Sequence, residues 1–115
     1  MMQLIGLQAG TIGTGIYKSI AIGEAALYNS VSGGNNVAVG HSAGYGATGS
    51  TGYNNVWVGS DAGEAISSGY DNVGIGFEAL KANTVGKENV AIGGNAMETY
   101  VGTGGYGQHV AVGFN

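Results

Sequence analysis

The chain contains no cysteine, no proline and no arginine. The absence of cysteine removes any disulfide framework and any thiolate metal site. Without proline every residue keeps its N–H, which suits uninterrupted sheet pairing. Three lysines stand against seven acidic residues, for a net charge of -4. No basic face is available to neutralise phosphates, which argues against nucleic acid and against a polybasic membrane-surface site. Charged residues are 9% of the 115, far below the roughly 25% usual in soluble domains. Much of the chain must therefore be backbone-paired, packed, or covered by another copy. No apolar run approaches transmembrane length, so no membrane insertion is expected. Met1-Met2-Gln3 is not the basic start of a signal peptide.

Glycine is abundant, at 25 of 115 residues. It is ordered around one recurring pentad. Asn36-Val37-Ala38-Val39-Gly40, Asn55-Val56-Trp57-Val58-Gly59, Asn72-Val73-Gly74-Ile75-Gly76 and Asn89-Val90-Ala91-Ile92-Gly93 are four versions of it. Ser19-Ile20-Ala21-Ile22-Gly23 precedes them, His109-Val110-Ala111-Val112-Gly113 follows, and Gln3-Leu4-Ile5-Gly6 is a degenerate first unit. The closing glycines fall at 6, 23, 40, 59, 76, 93 and 113, in steps of 17, 17, 19, 17, 17 and 20. A near-constant period of this kind marks a stacked repeat protein. Residues 1–115 form a single repeat domain on this reading.

Each pentad alternates, as a strand does, and its β-branched pair suits one. Three residues past each closing glycine stands an alanine: Ala9, Ala26, Ala43, Ala62, Ala79 or Ala96. A residue such as Leu27, Gly44, Gly63, Leu80 or Met97 follows it, which suggests a second short strand or bend. The rest of each unit is turn-like. The expected fold is all-β: a parallel β-solenoid of about six to seven 17-residue coils, roughly 30 Å long at about 4.8 Å per rung. In it the Val/Ile pairs form an inner ladder, and the pentad asparagines form a second ladder linked by their amides. The middle residue of the pentad is small except at Trp57. A face of Ala and Gly suits close approach of another backbone, so this face is expected to pack on neighbouring chains around a symmetry axis. A thin coil has little to bury alone, so self-association is expected to supply the rest.

These pentads, the Gly-x-x-Ala that follows them, and the Gly52-Tyr53-Asn54-Asn55 and Gly69-Tyr70-Asp71-Asn72 lead-ins resemble repeats of bacteriophage tail or head fibres. They are also similar to the heads of YadA-type trimeric autotransporter adhesins. The resemblance spans about residue 3 to 115. It implies a homotrimer of β-rolls, intertwined or side by side, working in attachment. It further implies other virion structural proteins as partners, host surface polysaccharide as a ligand, and the virion surface as location. The longer unit, with no leader, stalk or anchor seen, favours the phage reading over an adhesin head on a bacterial surface.

Three apparent motifs are better explained by the repeat. Gly40-His41-Ser42-Ala43-Gly44 has the spacing of a nucleophile elbow, which needs a strand, a strained turn and a helix. The equivalent positions elsewhere hold Asp61 and Glu78, so Ser42 is one filler among several. Gly74 to Ala79 matches a dinucleotide fingerprint but has no long helix after it. Gly13 to Ser19 has Tyr17 where a phosphate loop needs glycine. Asp61 and Glu64 are close enough in sequence to share a cation, yet isolated carboxylates are ordinarily solvated. His41 and His109 lie far apart. The expectation is no catalysis, no cofactor and no metal. The candidate binding residues are Tyr53, Trp57, Tyr70 and Phe77, aromatics grouped in the middle coils, as a sugar-binding surface would need. Packing is the competing role for them. The insertions at 46–52 and 102–107 are expected to emerge as loops on one face.

Overall fold

A computed structural model describes residues 3–6, 9–10, 17–101 and 107–114. Each pentad forms a three-residue strand: β1 (Gln3–Ile5), β2 (Ile20–Ile22), β3 (Val37–Val39), β4 (Val56–Val58), β5 (Val73–Ile75), β6 (Val90–Ile92) and β7 (Val110–Val112). The seven make one parallel sheet in chain order, β1 to β7. Register follows the repeat: Ala21 pairs with Ala38, Ala38 with Trp57, Trp57 with Gly74, and Gly74 with Ala91. The result is a β-solenoid with a longest dimension of 31 Å.

The closing glycine is dictated by the stack. Gly23, Gly40, Gly59, Gly76 and Gly93 all have φ near +130°. A Cβ on Gly59 would stand 2.5 Å from the carbonyl oxygen of Gly76, and the same clash recurs from rung to rung. No side chain fits between backbones stacked this closely.

Of the two forms expected for the return path, a second short strand or a bend, the structure has the bend. It is a run of tight turns. The N–H of Ala26 donates to the Gly23 carbonyl at 3.3 Å, and Tyr28 to Ala25 at 3.3 Å; later coils repeat both bonds. Ala25, Ser42, Asp61, Glu78 and Asn95 sit at φ of 53 to 59°, as do Leu27 at 52° and Leu80 at 53°. This left-handed conformation is unfavourable for side-chain-bearing residues. Here it turns successive N–H groups toward the neighbouring rungs. Leu27 donates to Ala43 at 3.0 Å and Gly44 to Ala62 at 2.8 Å, while Ser42 donates to Glu24 at 2.9 Å in the opposite direction along the stack. Both walls of the solenoid are thus hydrogen-bonded from coil to coil.

The two faces of the pentad are reversed from the sequence expectation. Ala21, Ala38 and Ala91 are fully buried, Trp57 is 1% exposed, and the turn-wall alanines 26, 43, 62 and 79 are fully buried opposite them. The Val/Ile pairs point outward, partly or fully exposed along the whole sheet. The small-residue face is therefore not a surface for neighbouring chains. The cause is width: strand wall and turn wall approach so closely that the residues facing each other across the coil are mostly alanines, with Leu27, Ile66 and Leu80 filling the space beside them. Trp57 is accommodated because glycines make room. A Cβ on Gly44, Gly63 or Gly74 would meet the indole at 2.5, 2.4 and 2.8 Å. Other coils carry Leu27, Leu80 and Met97 where this region has Gly44 and Gly63. One indole does the filling that leucines do elsewhere.

The asparagine ladder forms as expected. The Oδ1 of Asn36 accepts from the Asn55 N–H at 2.9 Å, Asn55 from Asn72 at 3.0 Å, and Asn72 from Asn89 at 3.1 Å. The Nδ2 groups of Asn36, Asn55 and Asn72 donate to the carbonyls of Gly52, Gly69 and Gly86 at 2.9, 3.0 and 2.8 Å. Ser19 begins the ladder by accepting from the Asn36 N–H at 3.1 Å. All four asparagines are at most 3% exposed. Their amides occupy both roles, donor and acceptor, which is what permits burial of such polar groups.

Candidate functional site

Three surfaces stand out on the solenoid. The largest is the outer face of the sheet. Ile20, Ile22, Val37, Val39, Val56, Val58, and their counterparts in β5 to β7 form two adjoining rows along six rungs. At about 4.8 Å per rung and 3.3 Å per residue, this is an apolar strip roughly 25 Å by 10 Å. Ile20, Ile75 and Ile92 are 36–38% exposed, and Phe77 just past β5 is 53% exposed. The strip is comparable in size to the largest apolar patch of a typical monomer, about 300–600 Å².

The second surface is a tyrosine stack on the approach to the strands. Tyr53 and Tyr70 lie with centroids 4.8 Å apart and planes 3° apart. The ammonium of Lys87 stands 5.5 Å from the Tyr70 centroid, within cation–π range. The Tyr70 ring is thus engaged by both Tyr53 and Lys87. Of the four aromatics singled out in the sequence, only Tyr53 and Tyr70 come together. Trp57 is in the core and offers no face to a ligand. Phe77 lies beyond the opposite end of β5 from Tyr70.

The third surface was missed by attention to aromatics alone, though a fixed offset encodes it. Five residues past successive closing glycines stand Tyr28, Tyr45, Glu64, Lys81 and Glu98, one per rung on the turn wall. Tyr28 and Tyr45 stack at 5.2 Å and 13°. Beyond them a groove of about 560 Å³ opens, bounded by Tyr45, Ala47, Glu64, Lys81, Ala82 and Glu98. Gly46 and Ala47, at the start of the 46–52 insertion, are among the residues that line it. The 102–106 part of the second insertion, and most of the Gly13 to Ser19 segment, lie outside the described residues.

The charges beside the groove are interlocked. The Lys81 ammonium donates to Glu78 at 2.7 Å and stands 3.6 Å from Glu64. The bond from Lys81 is the main reason the Glu78 carboxyl titrates below the usual carboxylate range, and the same bond raises Lys81. Asn95 donates to Glu78 at 3.0 Å and to Glu98 at 2.9 Å.

The motif-like stretches take ordinary structural places. Ser42 is buried in a turn at φ 53°, equivalent to Asp61 and Glu78. His41 is exposed and 3.6 Å from Asp61. The space a phosphate would need at Gly76 is filled by the Gly93 carbonyl, 2.5 Å from where a Cβ would be. Asp61 and Glu64 each face a different partner, His41 and Lys81. Among the described residues, no three His, Asp or Glu side chains gather in a metal-binding group, and no helix is long and apolar enough to cross a membrane.

Comparison with protein-family models, with curated proteins and with solved structures finds no match to this chain.

Proposed function

We propose that the chain is a rod-forming segment of a bacteriophage tail or head fibre, assembled as a homotrimer through the Val/Ile face and serving host attachment. The observation that carries this reading is the outward apolar strip. Its residues are β-branched, its register is regular, and no other segment described in the chain covers it. Three copies arranged around an axis would each bury one such strip, supplying the burial that an alanine-filled coil lacks. The face responsible differs from the one the sequence suggests. The small residues are consumed inside each coil, and the large ones are left for the partners. On a virion, such a rod would present three equivalent copies of any binding surface, so weak sites would act together.

The test is mass in solution. Sedimentation equilibrium should return three times the 11.4 kDa chain mass. The double substitution Val56→Lys and Val73→Lys should give monomers that keep the far-UV spectrum, because both side chains are only partly buried and a lysine stem can lie along the sheet. A parent chain that stays monomeric at tens of micromolar would remove the basis of the proposal.

A further inference from the structure

We infer that the turn-wall groove is a binding site for a neutral, polyhydroxylated ligand of the oligosaccharide class. This builds on the attachment reading but places recognition elsewhere than the tyrosine stack. The volume of about 560 Å³ lies in the range of small-molecule sites, roughly 300–1,000 Å³. The groove runs along the stack across four rungs, from Tyr45 to Glu98, about 14 Å at the usual rung spacing. It is therefore shaped for a short linear chain.

Its chemistry disfavours anions and offers both acceptors and a donor. Glu64 and Glu98 bracket the groove and repel an anionic chain. Lys81 stands on the rung between them, held by Glu78 at 2.7 Å and near Glu64 at 3.6 Å, and serves as a fixed hydrogen-bond donor. A neutral molecule whose groups both donate and accept matches this set of two acceptors and one donor. Sugar hydroxyls do this: they can donate to Glu64 and Glu98 and accept from Lys81. Ala47 and Ala82 are small and partly or wholly exposed, leaving an apolar surface for C–H groups. Tyr28 covers one face of the Tyr45 ring. On the other side the next rung brings Glu64 instead of a ring, so an aromatic surface borders the groove. The lining residues belong to the turn wall and the insertion, none to the outer sheet face. Association through that face leaves the groove open, and three copies would display three grooves.

Isothermal titration of the whole chain with cellotetraose, maltotetraose and chitotetraose tests this. Tetragalacturonate and tetralysine serve as charged comparators. At about 5 mM probe, where a millimolar Kd still registers, at least one neutral oligosaccharide should bind more tightly than tetralysine, and tetragalacturonate should not bind. Ala82→Trp, which fills the groove from a partly exposed position, should weaken binding about tenfold or more, equivalent to about 1.4 kcal/mol. Lys81→Glu should lose sugar binding and gain affinity for tetralysine. Sugar binding that survives Ala82→Trp would overturn the site. So would a preference for either charged probe, or no binding of any neutral one. Mass is measured on the same samples. A trimer without sugar binding ends this inference and leaves the fibre reading, while a monomer that binds does the reverse.

Discussion

Replacing Trp57 by alanine should be the most damaging large-to-small change available in this chain. The indole is 1% exposed and is enclosed by the backbones of Gly44, Gly63 and Gly74. Truncating a buried aromatic to alanine costs about 3–5 kcal/mol, more where the walls cannot collapse. These walls cannot. Gly44 and Gly63 have no side chains to move inward, and their N–H groups are tied to Ala62 at 2.8 Å and Ala79 at 2.9 Å. The upper part of that range, about 4–5 kcal/mol, is expected. It is a large share of a typical total of about 5–15 kcal/mol. With a urea slope of about 1–2 kcal/mol/M, the midpoint should fall by more than about 2 M. Far-UV circular dichroism at fixed protein concentration is the assay, because Trp57 is the sole tryptophan and its fluorescence disappears with it. Gly63→Leu supplies the decisive control. In the parent its Cβ would lie 2.4 Å from the indole, so it should destabilise strongly. In the Trp57→Ala background it should stabilise by about 1–3 kcal/mol, the scale of coupling between touching residues. Leu27 and Leu80 already occupy that column in the same left-handed conformation. A loss below about 2 kcal/mol for Trp57→Ala, or the same sign for Gly63→Leu in both backgrounds, would refute the account of this rung.

Gly76→Ala should cost more than about 3 kcal/mol, since the new Cβ meets the Gly93 carbonyl; only core or backbone disruption reaches such values. Gly49→Ala, also at positive φ (+80°) but facing open space, should lose only the backbone term of about 1–2 kcal/mol, and paired urea melts distinguish the two. Asn72→Ala strands the Gly86 carbonyl, the Asn89 N–H and the Asn89 Nδ2, for a loss of about 3 kcal/mol or more at about 1–3 per buried unpaired group. Asn35→Gly, in the exposed ladder, should stay within about 1 kcal/mol, and equal effects would contradict the buried ladder's role. The Glu78–Lys81 bond gives a pH signature. Glu78 is lowered, so its contribution is present above its unfolded value near 4.3 and is lost as pH falls through its lower folded value. Lys81 is raised, so its contribution holds below about 10.4 and is lost as pH rises through its higher folded value. Glu78→Gln should flatten the acid limb of midpoint against pH, and added salt should shrink the difference because the pair is partly exposed.

Much of the architecture was legible in the chain alone. The 17-residue spacing of closing glycines set the number of coils, the parallel order and the strand register, because equivalent residues of a repeat stack on one another. The asparagine column was legible for the same reason. A buried amide that recurs once per coil finds its partners in the coils above and below. What the chain alone left undecided was which side of each pentad is inside. Period-two alternation separates Val37 and Val39 from Ala38 but carries no information on the distance between walls. The habit of placing β-branched residues inward pointed the wrong way. Only the tertiary structure decided it. The turn wall returns so close to the strand that Ala38 faces other alanines and the valines are forced outward. The same closeness turned Trp57 from a surface candidate into a core residue, since its room is made by three glycines distant in sequence. It also aligned Tyr45, Glu64, Lys81 and Glu98, which lie 17 to 19 residues apart in the chain, along one groove. Spacing alone records that such residues share a column. Whether the column faces solvent, a partner or the core depends on how far apart the walls of the coil stand.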